Sequence, residues 1–227
     1  MLFECKNLNL VYDEGKDMQT YALKNINLSI EENKFIGIIG PSGCGKSSLL
    51  YCLSGLKVPS TGSAYYKNIS LKTLDPNEKS RLRKNEFGFI FQKHFLIDYM
   101  TVMENVLAAI NDNSAESKKK ALALLERLDI GNVADKKPHQ LSGGQNQKVA
   151  IARALINNPK VIFADELTAS LDHSNAKEVM KILEEYKDRA TIIVVTHDEA
   201  ILKNADEVIH LWDGSIKAID TRGLAAL

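Results

Sequence analysis

A glycine-rich segment, residues 40–47, contains the residue types that bind phosphate groups. It reads Gly-Pro-Ser-Gly-Cys-Gly-Lys-Ser and matches G-x-x-x-x-G-K-[ST], with an apolar run before it and a helical pattern after it. Glycines let successive backbone N–H groups turn toward an anion, and the start of the following helix adds partial positive charge. We therefore predict a nucleotide phosphate loop formed by Gly40, Pro41, Ser42, Gly43, Cys44, Gly45, Lys46, Ser47 and Ser48.

Three side chains of this loop have individual expectations. Lys46 is expected to bring a full positive charge to the β- and γ-phosphates, and the Ser47 hydroxyl is expected to bind Mg²⁺. Cys44 either fills a tolerant loop position or is a thiol whose pKa is lowered by the amino end of the helix. We expect alkylation of Cys44 to block nucleotide binding by steric intrusion.

Two adjacent carboxylates, Asp165 and Glu166, follow an apolar run at residues 161–164. Ligands of α/β sheets bind at the carboxyl ends of the strands, where these carboxylates are expected to lie. Because successive strand residues point opposite ways, Asp165 is expected to hold Mg²⁺ and Glu166 to face the γ-phosphate as general base for a water. The alternative is that both residues only cap the end of a strand.

Two more polar residues end apolar runs. Gln92 follows residues 89–91, and its amide can bridge Mg²⁺, a water and the segment beyond it. His197 follows residues 191–196, and we expect it to contact the γ-phosphate. A histidine at the end of one strand is otherwise an ordinary surface residue, so the prediction depends on its meeting the other strand ends.

A second candidate anion site lies at residues 141–145, Leu-Ser-Gly-Gly-Gln, where a helix is predicted to begin and to run to about Leu155. A serine and two glycines at a helix start favour anion binding. The chain already has one phosphate loop for its own nucleotide. The second site is therefore expected to serve the nucleotide of another subunit in a two-fold dimer.

The elements that must position these residues alternate between strand and helix. Buried strands are predicted at Phe35–Ile39, 87–91, 161–164 and Thr191–Val195, which is the pattern of a mostly parallel sheet. Alternating polar and apolar residues in the first thirty positions predict antiparallel strands with one exposed face. Helical spacing recurs at Ala121–Leu128 and Val179–Tyr186. We predict one α/β domain over residues 1–227, with an α-helical subdomain inserted at about residues 95–157.

Composition excludes several classes of protein. The 227 residues are 44% hydrophobic and 26% charged, which is typical of a folded protein. Lys plus Arg equals Asp plus Glu at 29 each, so no net basic field attracts nucleic acid. Three cysteines without paired spacing indicate a reducing compartment. The amino terminus does not read as a secretory signal, and no apolar run approaches the roughly 18 residues of a membrane span.

The five features at residues 40–47, 92, 141–145, 165–166 and 197, in this order, resemble the ATP-binding subunit of an ABC transporter. The resemblance implies a P-loop NTPase core, MgATP as ligand and a homodimer with two ATP molecules between the subunits. The resemblance implies that Ser142 and Gly144 contact the γ-phosphate held by Lys46 of the other subunit, and that Gly143 and Gln145 belong to the same nucleotide-binding segment. It also implies that Tyr12 stacks on adenine, and that Asp172 lies in a loop, 170–172, that links the two sites.

The resemblance extends to one branch of the family, on the segments at residues 21–26, 88–92, 100–105 and 145–155. That branch contains lipoprotein-release, macrolide-efflux and antimicrobial-peptide-resistance ATPases. It implies ATP hydrolysis coupled to transport by a separate membrane permease, with this chain cytoplasmic and peripheral on the inner face of the cell membrane. No nucleic-acid partner is expected.

Two residues depart from the family pattern. Leu167 stands where a proline is common and is expected to loosen the turn that carries Glu166, and Lys148 stands where an arginine is common.

The alternative functions are a soluble ABC ATPase acting on nucleic acid or ribosomes and a small nucleotide kinase. Against the first, this sequence has neither the long coiled-coil insert nor the two cassettes that such ATPases typically carry, and the second does not explain residues 141–145.

Overall fold

A computed structural model describes residues 1–13, 19–168, 171 and 173–221, without the side chains of residues 173 and 174. The strands are β1 (Phe3–Tyr12), β2 (Thr20–Ile30), β3 (Phe35–Ile39), β4 (Thr61–Tyr66), β5 (Ile69–Ser70), β6 (Phe87–Ile90), β7 (Val161–Asp165), β8 (Thr191–Val195), β9 (Glu207–Trp212) and β10 (Ser215–Thr221). The helices are α1 (Lys46–Leu53), α2 (Pro76–Glu86), α3 (Val102–Leu107), α4 (Ala115–Arg127), α5 (Gly143–Leu155) and α6 (His173–Glu184). Three short 3-10 turns occur at Gly131–Val133, Pro138–Gln140 and Glu199–Leu202.

The larger sheet has six strands in the order β10-β9-β3-β8-β7-β6. Strands β9, β3, β8, β7 and β6 are parallel, and β10 pairs antiparallel with β9. Residues alternate between its two faces, so that in β8 Ile192 and Val194 pack on one side and Ile193 and Val195 on the other. The mostly parallel sheet predicted from the apolar runs is confirmed.

A second sheet, with the order β2-β1-β4-β5, is antiparallel throughout and covers one face of the first. Strand β2 alternates buried and exposed side chains from Ile26 to Ile30, as the period-two pattern predicts. Helix α1 packs on the same side of the parallel sheet, with Leu49, Leu50 and Leu53 fully buried. The predicted antiparallel portion near the amino end is therefore confirmed.

Helices α3, α4, α5 and α6 contribute to the core on the opposite face. Leu125 of α4 and Val179 of α6 are fully buried there, in agreement with the helical spacing. The first three helices lie within residues 95–157, and the division of the chain into a core and a helical subdomain stays a prediction. Among the helices that the structure describes, none has both the length and the apolar character needed to cross a membrane.

Phe163 of β7 lies at the centre of the contact between the two sheets. Its ring is 5.8 Å from Phe3, 5.2 Å from Phe87 and 5.5 Å from Phe89, measured between ring centroids. Only 1% of Phe163 is exposed. This aromatic cluster therefore anchors β7, the strand that ends at Asp165, between the antiparallel sheet and the rest of the core.

Replacement of Phe163 by alanine tests this anchoring. Removing a fully buried aromatic ring should lower the free energy of unfolding by about 3–5 kcal/mol, through lost burial and a residual cavity. Urea unfolding followed by circular dichroism measures the change. Tyr99→Ala, at a residue that is 75% exposed, is the control and should change stability by less than about 0.5 kcal/mol. Equal losses in the two variants would contradict the central role of Phe163.

Candidate active site

The glycine-rich segment is the connection between β3, which ends at Ile39, and α1, which begins at Lys46. Gly40 and Gly45 have φ angles of 152° and 103°, which residues with a side chain rarely adopt. A Cβ atom would lie 2.0 Å from the Leu211 carbonyl oxygen at Gly40, and 2.2 Å from that of Ala22 at Gly45. Only glycine fits either position, so the loop conformation is built into the sequence.

The Lys46 ammonium is held across the loop that precedes it. Its Nζ atom donates to the Gly40 carbonyl oxygen at 2.8 Å and to the Pro41 carbonyl oxygen at 3.0 Å. Lys46 is buried, yet it lines the cleft described below. An ammonium has three N–H donors, so one remains for an anion in the cleft.

The phosphate loop and the acidic end of β7 meet directly. The Ser47 hydroxyl donates to Oδ1 of Asp165 at 2.9 Å, and the Tyr51 hydroxyl donates to Oδ2 at 3.1 Å. Burial and the negative charge of Asp165 raise the pKa of Tyr51 to about 12, so this hydroxyl keeps its proton. The carboxylate is thus fixed by two hydroxyl groups of α1.

Tyr51 was not predicted as a site residue. The signal was present, because positions four apart on a helix lie on the same face and Tyr51 follows Ser47 by four. Its ring also packs edge-on against Phe91, with 6.4 Å between centroids. Tyr51 therefore connects the Asp165 carboxylate to the segment that carries Gln92.

Glu166 and His197 form a second polar pair at the same end of the sheet. Nδ1 of His197 lies 2.8 Å from Oε2 of Glu166, and because an ionised carboxylate only accepts, Nδ1 carries the hydrogen. The Glu166 carboxylate is mostly buried, whereas the imidazole is 69% exposed. This contact joins the ends of β7 and β8, and the sequence predicted both residues but not their hydrogen bond.

A cleft of about 360 Å³ brings most of the predicted residues together. It is lined by Tyr12, Ser42, Gly43, Gly45, Lys46, Ser47, Ser48, Gln92 and Glu166, together with Thr20 and Ala22, which were not predicted. Backbone amides, a cation, hydroxyl groups and a carboxylate therefore face one space. These groups can hold a phosphorylated ligand and place a base beside it.

Tyr12 lies at the edge of this cleft and is partly exposed. Its hydroxyl lies 3.3 Å from the Ser48 hydroxyl, and the Lys57 ammonium is 4.9 Å from the centre of its ring. One face of the ring therefore interacts with a cation. Stacking of the ring on adenine stays a prediction.

A neighbouring cleft of about 630 Å³ lies beside the loop. Gly40, Pro41 and His197 line it with Trp212, an exposed tryptophan at the end of β9. The predicted residues Gly40, Pro41 and His197 thus border this second space. His197 stands between the two clefts because its partner Glu166 lines the first.

Residues 142–145 form the start of α5 and line neither cleft. The Ser142 hydroxyl accepts from the Gln145 backbone N–H at 3.2 Å, and the Gln145 side chain accepts from the Ser142 N–H at 3.0 Å. This capping box fixes the helix start. A Cβ atom at Gly143 would meet no described atom within 4 Å, so an incoming group can approach closely. The arrangement suits a site completed by another molecule.

Cys44 differs from its neighbours because its side chain is buried in the core beneath the antiparallel sheet. Its sulfur would lie only 2.7 Å from a Cβ atom at Gly40. Alkylation of Cys44 therefore requires the loop to open. Asp172, predicted to link two sites, lies outside the described residues, as does Ser170 of the same loop.

The two departures from the family pattern have packing explanations. Leu167 is fully buried in the core, and the Glu166 N–H donates to the Val195 carbonyl oxygen at 2.9 Å. Burial anchors the Leu167 side chain in the core, and the expectation of a looser turn stays a prediction. The nearly buried Lys148 donates to Oε2 of Glu178 at 3.3 Å, which joins α5 to α6.

Comparison with known proteins gives consistent results. The family model described as ABC transporter matches residues 23–169. The chain is 42% identical to the lipoprotein-releasing system ATP-binding protein LolD 1 of Chlorobium chlorochromatii, over 89% of this chain and 85% of that protein. It is also 42% identical to the macrolide export ATP-binding/permease protein MacB of Neisseria meningitidis, over 95% of this chain and 34% of that protein.

Among solved structures, the chain is similar to MJ0796 of Methanocaldococcus jannaschii, described as a dimeric ABC transporter cassette. The TM-score is 0.93 at 39% identity, over 98% of this chain and 100% of that one. A second dimeric structure of MJ0796 is described as a post-hydrolysis state bound to ADP and Pi, with the same TM-score. The predicted fold class is confirmed by these neighbours.

The buried thiols lead to a prediction on reactivity. Burial raises the pKa of Cys5 and that of Cys52 to about 12, and Cys44 is buried as well. Because the thiolate is the reactive form, all three should react with Ellman's reagent at pH 8 at least about 100-fold more slowly in the native protein than in urea. Absorbance at the thionitrobenzoate band measures both rates. A fast native phase, assigned by peptide mapping to any of the three, would contradict the burial described here.

Proposed function

Because this chain belongs to the ABC transporter family, we propose that it binds and hydrolyses ATP as one of two identical subunits and so drives a separate integral membrane permease. The observation that supports this function most directly is the meeting of the phosphate loop with the acidic strand end, through Ser47 and Asp165. Beside that contact, Glu166 and His197 supply a base and its partner. Relatives named for lipoprotein release and macrolide export support the assignment of the chain to that branch of the family.

We assign phosphate binding to the backbone of residues 40–48 and to Lys46, and adenine stacking to Tyr12. The ammonium of Lys46 already lies over the loop carbonyls, so little reorganisation is needed when phosphates enter the cleft. Such preorganised charge in a partly buried site is effective at stabilising negative charge that develops during phosphoryl transfer.

Mg²⁺ would be held by Ser47, Asp165 and Gln92, whose side chains offer the oxygen ligands that this ion prefers. Ser47 and Asp165 are already in contact, and Gln92 lines the same cleft. In the described part of the chain, no three His, Cys, Asp or Glu side chains cluster as metal ligands. That suits Mg²⁺, which takes few protein ligands and completes its shell with water and substrate phosphates. Bound there, it would neutralise charge on the β- and γ-phosphates.

Glu166 acts as the general base in this proposal. Oε2 accepts from His197, which leaves Oε1 to accept a proton from the attacking water. A neutral imidazole with its hydrogen on Nδ1 has only an acceptor at Nε2, so it cannot also donate to a phosphate. His197 can therefore contact the γ-phosphate as imidazolium, or after its hydrogen bond to Glu166 breaks.

The second subunit completes each site. Ser142, Gly143, Gly144 and Gln145 lie away from the cleft of their own chain and form an open helix start, which suits the γ-phosphate held by the partner's loop. Asp172 would link the two sites across the dimer. Closure of the dimer would pass force through α3, α4, α5 and the segment after Gln92 to the permease. The permease would hold the chain peripherally at the cytoplasmic face of the membrane.

None of the relatives named above is described as acting on nucleic acid or ribosomes, and we do not retain that alternative.

Replacement of Glu166 by glutamine tests the base. Turnover of ATP should fall by about 10²–10³-fold, because an amide cannot accept the proton, while ATP affinity should change less than about twofold. In the presence of MgATP, the Glu166→Gln variant should then elute as a dimer in size-exclusion chromatography. Glu116→Gln, at an exposed position of α4, is the matched control and should turn over normally. Near-normal turnover of Glu166→Gln would rule out the assignment of the base.

Mixing two defective chains tests whether the partner completes the site. Lys46→Ala and Ser142→Arg should each be inactive alone, because every site of either homodimer lacks one half. An equal mixture should regain about a quarter of wild-type activity, since half the dimers are mixed and each has one intact composite site. ATPase assays of the separate and mixed proteins measure this. A mixture as inactive as its components would contradict the proposal that one intact composite site supports turnover.

A further inference from the structure

The segment after Gln92, residues 93–101, is held by two helices. From α3, the buried Asn105 amide donates to the Ile97 and Thr101 carbonyl oxygens at 3.1 and 3.0 Å, and its oxygen accepts from the Ile97 N–H at 2.7 Å. From α5, Arg153 binds the part of the segment that is closest to Gln92. The anchor on α5 is of interest because the other end of that helix is the start at residues 142–145.

Arg153 binds two consecutive backbone carbonyls. Its Nη1 atom donates to the Phe95 carbonyl oxygen and its Nη2 atom to that of His94, both at 2.7 Å. Phe95 has a φ of 48°, an unfavourable conformation for a residue with a side chain. The planar fork of the guanidinium matches two adjacent acceptors, which a lysine ammonium cannot reproduce. Arg153 therefore stabilises a backbone shape that the segment would not favour by itself.

His94 lies between this anchor and the body of α5. Burial and the nearby Arg153 charge lower the pKa of His94, so its ring is neutral at physiological pH. The imidazole lies close enough to the Gln147 amide to interact, although no hydrogen bond of ordinary geometry joins them. In the described residues, the hydrogen bonds of ordinary geometry between the segment and α5 are thus the two that Arg153 donates.

Helix α5 connects this anchor to the capping box. Arg153 lies in its last turn, and Ser142 caps its first. The thirteen residues span roughly 20 Å as one continuous helix, and Val149, Ile151 and Ala152 are buried in the core. A helix packed in this way moves as a unit, so a displacement at either end is transmitted to the other.

We propose that Arg153 is a positioning residue that couples Gln92 in one nucleotide site to residues 142–145, which complete the other. It does so by fixing the backbone two and three residues after Gln92 to the helix that begins at residue 143. This inference rests on the proposed roles of Gln92 and Ser142. Arg153 itself does not line the ATP cleft, so it acts through the segment and not by contact with substrate.

A double-mutant cycle between Gln92 and Arg153 tests the coupling. Arg153→Met keeps an unbranched side chain that matches the aliphatic part of arginine without its donors, and should lower kcat about tenfold with ATP affinity changed less than about twofold. Arg153→Lys should recover only part of the loss, since one ammonium cannot replace the fork. In a Gln92→Ala background, Arg153→Met should cause no further loss. Arg83→Met is the control, because Arg83 also donates to a backbone carbonyl, that of Gly55, and should retain kcat.

The outcomes separate this inference from the proposed function. Wild-type turnover in Gln92→Ala would overturn the role of Gln92 itself. A slow Gln92→Ala combined with an additive loss from Arg153→Met would overturn the coupling and leave the role of Gln92 intact.

Hydrogen exchange gives a second readout that does not depend on turnover. In Glu166→Gln, MgATP should change amide exchange in both residues 93–97 and residues 143–148. With Arg153→Met added, the two regions should respond independently, so that one changes at lower ATP concentration than the other. An unchanged joint response would contradict the coupling even if kcat falls.

Discussion

The hydrogen bond between the Ser47 hydroxyl and the Asp165 carboxylate is the contact on which the arrangement of the site depends. It requires β3 and β7 to end at the same edge of one sheet, although 121 residues lie between Ile39 at the end of β3 and Val161 at the start of β7. The parallel order β3-β8-β7 meets this requirement and also brings His197, just beyond β8, between them. Because all three strands are buried on both faces, packing fixes their relative register. The polar groups at the strand ends are therefore held at fixed positions relative to one another.

The turn after β7 shows how stability elsewhere supports an unfavourable local geometry. Glu166 has a φ of 51°, which costs about 1–2 kcal/mol for a residue with a side chain. Its N–H continues the ladder to Val195, and the next residue, Leu167, is fully buried. These interactions offset the cost and direct the carboxylate toward His197. The burial of Leu167 thus anchors the turn in the core, which the sequence pattern alone did not indicate.

Sequence reasoning succeeded where the signal is local. The phosphate loop, the four buried strands and the helix at Gly143–Leu155 follow from spacing and residue type within short windows. It missed α2, whose Asp75 and Glu78 form a capping box, and the hairpin of β9 and β10, in which β10 is the edge strand and is mostly exposed. It also missed Tyr51 and Arg153, because their partners, the Asp165 carboxylate and the carbonyls of residues 94–95, are more than fifty positions away in the chain.

The amino-acid sequence by itself determined the chemistry available to this protein: the glycines that permit the loop, the cation and carboxylates, the open helix start and the family that combines them. Only the tertiary structure decided which groups meet. It placed nine of the predicted residues around one cleft, directed Cys44 into the core, paired His197 with Glu166 and left residues 142–145 outside the cleft of their own chain. The physical reason is that residue type and backbone propensity are local properties, whereas contacts between strand ends depend on sheet order and packing of the whole core.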